Sequence, residues 1–231
     1  MTVVLVLFTL TAFLAADFFV QRSRAARERE AALQVVPILA EVPPDIGIAN
    51  NHTWTKKEGA GAFLIGIDEF LGKMTGVAEQ ILLPEEGSAV GPWDPAITIG
   101  ADARQLSLAA PLAGRVVSVN RAVLKNPALA RTDPYRAGWL IKVEADSRRD
   151  PVVHTRAGSA ATLWLKTQLD LAREFFAGMP RHGGLATAQD GGAMVEGALR
   201  LHGGEVWKEF AAHFAALPER RGQATSDQPK R

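Results

Sequence analysis

Cysteine is absent from all 231 residues. That removes disulfides, thiolate metal ligands and thiol nucleophiles together, and it fits a reducing compartment. Excess charge of either sign is lacking too. Twenty-six Lys and Arg stand against 25 Asp and Glu, a net charge of +1, so there is no basic field for a phosphate backbone and nucleic acid is not an expected partner. No catalytic constellation is present either. The five histidines, His52, His154, His182, His202 and His213, show neither the i, i+4 pairing of a helical metal site nor the clustered spacing of a zinc module, so no metal is expected. Ser147 and Ser159 carry no nucleophile-elbow pattern, and Glu85 and Glu86 read as solvated loop residues. "HGG" at His182 to Gly184 and His202 to Gly204, and "DGG" at Asp190 to Gly192, have no preceding strand and no following Lys-Ser/Thr. They read as caps and turns rather than an anion cradle. No catalytic residue, cofactor or small-molecule substrate is therefore expected.

What the chain does have begins with one long apolar run. Thr2 to Val20, "TVVLVLFTLTAFLAADFFV", reaches roughly 28 Å as a helix, close to the hydrocarbon thickness of a bilayer. Its Leu, Val and Phe residues outweigh the single Asp17 near one end. No positive charge precedes the run, whereas Arg22, Arg24, Arg27 and Arg29 follow it. A secretory signal has the opposite arrangement, and the positive-inside rule places the N-terminus outside and the rest in the cytoplasm. The expectation is a single-pass helix over residues 1–21 in the inner membrane, with the globular part cytoplasmic.

Residues 22–50 read as a cytoplasmic helix running to about Val35, then a linker broken by Pro37, Pro43 and Pro44. From 51 to 146 short apolar runs alternate with Gly and Pro: "GAFLIGI", "AITIG", "QLSLAAP", "GRVVSVN" and "GWLIKVE". That spacing predicts a small barrel or sandwich. Val116, Val117 and Val119 alternate imperfectly, which predicts a strand buried on much of both faces. Residues 147–218 turn helical. Leu165, Leu169, Ala172 and Phe176 form one stripe ending at Gly178 and Pro180. A second helix is predicted over Gly192 to Leu201 with Asp190 as N-cap. A third is predicted over Glu205 to Leu217, with Val206, Trp207, Phe210, Phe214 and Leu217 as its apolar face. Residues 219–231 are polar and read as a disordered tail.

Five pieces of the middle region carry a resemblance. They are "HTW" at His52 to Trp54; "GIDEFLG" from Gly66 to Gly72; "LPEEG" from Leu83 to Gly87; "PLAGRVVSVN" from Pro111 to Asn120; and "NPALARTDPYRAGWLIKV" from Asn126 to Val143. In this order the region resembles the glycine cleavage system H protein, a lipoyl carrier. The resemblance implies a mainly β barrel-sandwich hybrid, here with one N-terminal transmembrane helix and a C-terminal helical extension. Each piece also has its own physical reading. Gly66 and Gly72 permit turns or close strand approach, Pro84 and Gly87 punctuate a loop, and Pro111 to Gly114 makes a tight turn feeding a strand. Tyr135 and Trp139 are expected to bury large rings.

The resemblance also implies a lipoyl-lysine at a hairpin tip, about eight residues before the proline of that turn. Counting back from Pro111 lands on Ala103, between Asp102 and Arg104, and no lysine occurs from Met74 to Leu124. Arg104 cannot replace it, because a guanidinium stays charged and is a poor nucleophile. Lys73 and Lys125 fall outside the hairpin. Two readings follow. One is a non-catalytic, membrane-anchored structural or assembly subunit whose partners are the membrane and the protein subunits of a respiratory or photosynthetic complex. It resembles, in architecture alone, the single-helix subunit capping bacterial photosynthetic reaction centres. The other is a lipoyl-type carrier or accessory of glycine cleavage and one-carbon metabolism held at the membrane.

Overall fold

The computed structural model describes residues 41–92, 94–101, 104–146, 154–179 and 196–216. The predicted membrane helix, the helix that follows it, Pro37, His182, the Asp190 motif and the tail all lie outside the described residues. Among the described residues no helix is long and apolar enough to cross a membrane.

Ten strands form two sheets. The first contains β1 (Ile46–Ala49), β2 (Thr53–Lys57), β3 (Ala62–Ile67), β5 (Ala89–Val90), β8 (Gly114–Val119), β9 (Ile141–Ala145) and β10 (Thr155–Ala157), in the order β10-β1-β2-β3-β9-β8-β5. The second contains β4 (Gln80–Leu82), β6 (Pro95–Ala101) and β7 (Arg104–Ala109), in the order β4-β6-β7. All pairings are antiparallel. Inward residues of both sheets, among them Ile48, Trp54, Ile65, Ile99, Leu106, Leu108 and Val143, are buried in one core. The five apolar runs of the sequence all become strands. Gly66 is where β3 admits the Trp54 indole, since a Cβ there would sit 2.6 Å from the ring.

Three short helices lie among the strands in sequence: α1 (Glu69–Thr75), α2 (Arg121–Lys125) and α3 (Leu129–Thr132). Gly72 therefore lies inside α1 rather than in a turn, packed close to the backbone of Arg131. After β10 the chain forms α4 (Gly158–Ala177), a 3-10 turn (Ala198–Leu201) and α5 (Gly204–Phe214). The predicted stripe Leu165, Leu169, Ala172 and Phe176 is the buried face of α4, and Gly178 caps it. In α5, Trp207, Phe210 and Phe214 are buried.

Three expectations change. β1 lies within residues 22–50, read as linker, yet it pairs with β2 and β10 and buries Ile46 and Ile48 completely. Pro43 and Pro44 stop a helix but do not oppose a strand that starts two residues later. Of the helix expected over Gly192 to Leu201, the described part is only the 3-10 turn. Gly197 precedes it with φ 73° and donates its N–H to the Lys73 carbonyl at 2.7 Å, so this segment straps α1 instead of continuing as a helix. Finally, β8 is not buried on both faces. The pairing with β9 slips between Val116 and Ser118, and Val117 at the bulge is 42% exposed.

Candidate functional site

The hairpin of β6 and β7 is the place to test for a carrier site. Its register runs Thr98↔Ser107, Ile99↔Leu106, Gly100↔Gln105 and Ala101↔Arg104. Residues 102 and 103 alone join the two strands. Asp102 and Ala103 themselves lie outside the described residues. Ile97, Ile99, Leu106 and Leu108 alternate into the core and fix that register, because a one-residue slip would turn all four outward. The two strands are therefore firmly registered, and Asp102 and Ala103, between them in sequence, supply no primary amine. The amide that attaches a lipoyl group needs a lysine nitrogen, and no lysine occurs from Met74 to Leu124. Lys73 lies in α1, paired with Glu69 at 2.5 Å, and Lys125 ends α2.

The loop "LPEEG" docks on β8. Gly87 N–H donates to the Val116 carbonyl at 2.7 Å, Val116 N–H to the Ser88 carbonyl at 2.9 Å, and Val119 N–H to Glu86 Oε1 at 3.3 Å. Glu86 thus completes a strand edge. Asn120 follows, its side-chain oxygen capping α2 through Ala122 and Val123 N–H while its amide donates to the Ala137 and Trp139 carbonyls. One residue thereby clips "NPALARTDPYRAGW" to the sheet.

His52 is the centre of a second arrangement. The β2–β3 register pairs Thr53 with Ile67, so the next position outward sets His52 against Asp68. Both are fully buried, and Nδ1–H of His52 donates to Asp68 Oδ2 at 2.7 Å. Asp68 Oδ1 accepts from Leu71 N–H at 2.9 Å and caps α1. The imidazole is stacked between Phe70 and Trp164, with centroids 4.4 and 4.8 Å away, and the backbone stands at φ 62°. His52 is a structural residue at a strand start, as its position in "HTW" suggests, and the missed residue is its partner Asp68. The signal was available: Asp before "EFL" is an N-cap pattern.

Other histidines are scattered. His202 stacks on Phe176 at 5.4 Å, His213 Nδ1–H donates to the Glu209 carbonyl, and His154 lies at the surface. His154 and His213 share a cleft of about 390 Å³ with Asn50, Asn51 and Pro111, which sequence spacing did not indicate. Among the described residues no group of three His, Cys, Asp or Glu side chains is placed to hold a metal. Glu85 is a loop residue, and Ser159 lies in the first turn of α4. Ser147 lies outside the described residues.

Tyr135, the only tyrosine in the chain, accepts the Glu69 N–H at 3.4 Å and meets Trp54 edge-on. Burial, reinforced by the negative charge of Asp68, raises its hydroxyl above the usual phenol value of 10.0. The unfolded chain sheds that proton first, so this contribution to stability is intact below about pH 10 and falls as pH rises beyond it. Urea midpoints measured from pH 8 upward should decline more steeply for the native chain than for Tyr135→Phe. Equal slopes would show that this phenol is not protected.

The two antiparallel sheets share one core, with the C-terminal helices packed against it. A family model described as Glycine cleavage H-protein matches residues 47–161. The glycine cleavage system H protein of Alteromonas mediterranea is 34% identical over 108 residues, which cover 47% of this chain and 84% of that relative. The Escherichia coli K12 protein of the same name is 29% identical over 112 residues, 48% of this chain and 87% of the relative. The crystal structure of a glycine cleavage system H protein from Mycobacterium marinum gives a TM-score of 0.47 at 27% identity, covering 55% of this chain and 99% of that one. The chain belongs to the glycine cleavage H-protein family, whose members are carriers rather than catalysts.

Proposed function

We propose that this protein is a non-catalytic, membrane-anchored member of the H-protein family that acts as a structural or assembly subunit of a larger membrane complex, with its folded domain on the cytoplasmic side. The observation that carries the reading is the β6–β7 hairpin. Its strands pair in register as far as Ala101 and Arg104, and the two residues between these in sequence, Asp102 and Ala103, offer no amine. The apolar run Thr2 to Val20, followed by four arginines, supports the anchor. Removing residues 1–21 should move the protein from the membrane fraction to the soluble one on cell fractionation. Continued sedimentation with membranes would place the attachment elsewhere.

Family membership also favours a second reading, a carrier or accessory of glycine cleavage held at the membrane. Purification in mild detergent separates the two. The first reading expects subunits of a membrane complex in stoichiometric amount; the second expects enzymes of glycine cleavage.

A further inference from the structure

Charge is unevenly placed in a chain whose total is only +1. From Pro111 to Leu140 there are five cations, Arg115, Arg121, Lys125, Arg131 and Arg136, and one anion, Asp133. Two of the five are engaged locally. Arg131 pairs with Glu196, and Arg115 donates to the Gly87 carbonyl and stands opposite Glu144 of β9. The other three lie at one corner. Arg121 and Lys125 are exposed on α2, and Asn120, which caps that helix, donates to the Ala137 carbonyl at 2.8 Å, so the exposed Arg136 stands beside the start of α2. Arg121 reaches Glu86 Oε1 at only 3.8 Å, and among the described residues Lys125 and Arg136 have no carboxylate partner. The same corner exposes two large apolar side chains, Val117 on the β8 bulge and Leu124 on α2, the latter at 44%. Other exposed apolar residues keep acidic company. Val77 and Leu82 flank Glu79, and Leu163 and Leu171 share the outer face of α4 with Asp170 and Glu174.

We propose that this corner, formed by Val117, Arg121, Leu124, Lys125 and Arg136, is a docking surface for an anionic bilayer, with the cations at the level of the lipid phosphates and the two apolar side chains entering the acyl boundary. The inference deepens the membrane-anchored reading and rests on it for the nearness of the bilayer. With Thr2 to Val20 in the membrane, residues 21–40 reach at most roughly 70 Å when extended, more than the width of a domain of this size. The tether therefore leaves every face within reach, and surface chemistry decides which one lies down. A bilayer offers phosphates for the cations and hydrocarbon beneath them for Leu124 and Val117. Each exposed cation beside an anionic leaflet favours contact about fivefold, whereas the outer face of α4 would bring carboxylates to it. The acids at the corner are engaged with backbone: Glu86 accepts the Val119 N–H at 3.3 Å and Asp133 the Ala137 N–H at 3.1 Å.

Because the chain has no cysteine, one introduced thiol takes one dye. Ala122→Cys puts a bimane label at the corner between Arg121 and Leu124, and Thr167→Cys puts it on the exposed side of α4 as the control. Each full-length chain is reconstituted into vesicles of phosphatidylcholine, or of phosphatidylcholine with phosphatidylglycerol, both containing a doxyl-labelled lipid that quenches bimane on contact. In the anionic vesicles the label at 122 should be quenched well beyond the label at 167. That difference should vanish in phosphatidylcholine alone and at about 1 M salt, where the screening length is about 3 Å. Arg121→Gln, Lys125→Gln and Arg136→Gln together should lower the ratio of docked to free domain about a hundredfold, and Leu124→Ser should lower it further. Equal quenching at the two positions, or quenching at 122 that ignores lipid charge and the three glutamines, would overturn the surface. Shielding of that label in native membranes but not in these vesicles would point to an acidic protein and overturn it as well. Retention through a carbonate wash reads the anchor alone. If the chain washes off, the anchor has failed, and salt-reversible flotation of the full chain with the anionic vesicles then decides the docking surface.

Discussion

Asp68→Ala should lower the melting temperature of the full chain by about 6–20 °C, the largest effect expected of any single polar substitution here. The carboxylate is fully buried and serves two donors, the His52 imidazole at 2.7 Å and the Leu71 N–H at 2.9 Å. Alanine orphans both in a site with no water access and leaves a small void. Each buried unpaired donor costs about 1–3 kcal/mol, one of the two here being the helix-cap bond itself, and the middle of that range for both comes to roughly 3–5 kcal/mol. A chain of this size shifts by about 2–4 °C per kcal/mol. The same substitution frees His52, whose φ of 62° is held by that contact. Asp68→Asn, which keeps an acceptor for Leu71, should lose about half as much. A shift below about 2 °C for Asp68→Ala would mean that the pair does not hold β2, β3 and α1 together. Melting in mild detergent, followed by tryptophan fluorescence, makes the measurement.

Phe210→Ala is the second large effect, and it tests whether the C-terminal helices belong to the domain. The ring is fully buried and packs on Phe214 at 4.5 Å, Phe175 at 5.9 Å, Phe176 at 6.2 Å and Phe70 at 6.3 Å. Phe70 belongs to α1 and Phe175 and Phe176 to α4, so one side chain joins the H-protein core to the extension. Truncating a buried Phe costs about 3–5 kcal/mol, and the transition should stay single because α1, α4 and α5 share the cluster. Two separated transitions, or a loss under about 1 kcal/mol, would make the extension an independent unit. The buried faces of α4 and α5 look inward to the barrel, so deleting these helices would expose the core.

Legibility in the sequence followed periodicity and length. α4 carries a clean stripe over twenty residues, and the long core strands carry apolar runs, so both were readable. β1 and β10 were not. "IGIA" alternates only twice behind two prolines, and "TRA" is a three-residue edge strand with no apolar signal. α1 has seven residues, too few for a helical period to show, and its Gly72 reads as a turn until the close approach of Arg131 is seen. The His52–Asp68 contact spans sixteen residues and exists only because the β2–β3 register sets one opposite the other. At the hairpin, by contrast, family spacing pointed to residue 103, which falls in sequence between the paired residues Ala101 and Arg104.

Intact mass of the protein isolated from the membranes of its native host tests the central claim most directly. The account predicts the unmodified polypeptide mass in a preparation that retains a membrane complex in stoichiometric amount. An added lipoyl mass on any lysine would contradict it and return the protein to the working carriers of its family.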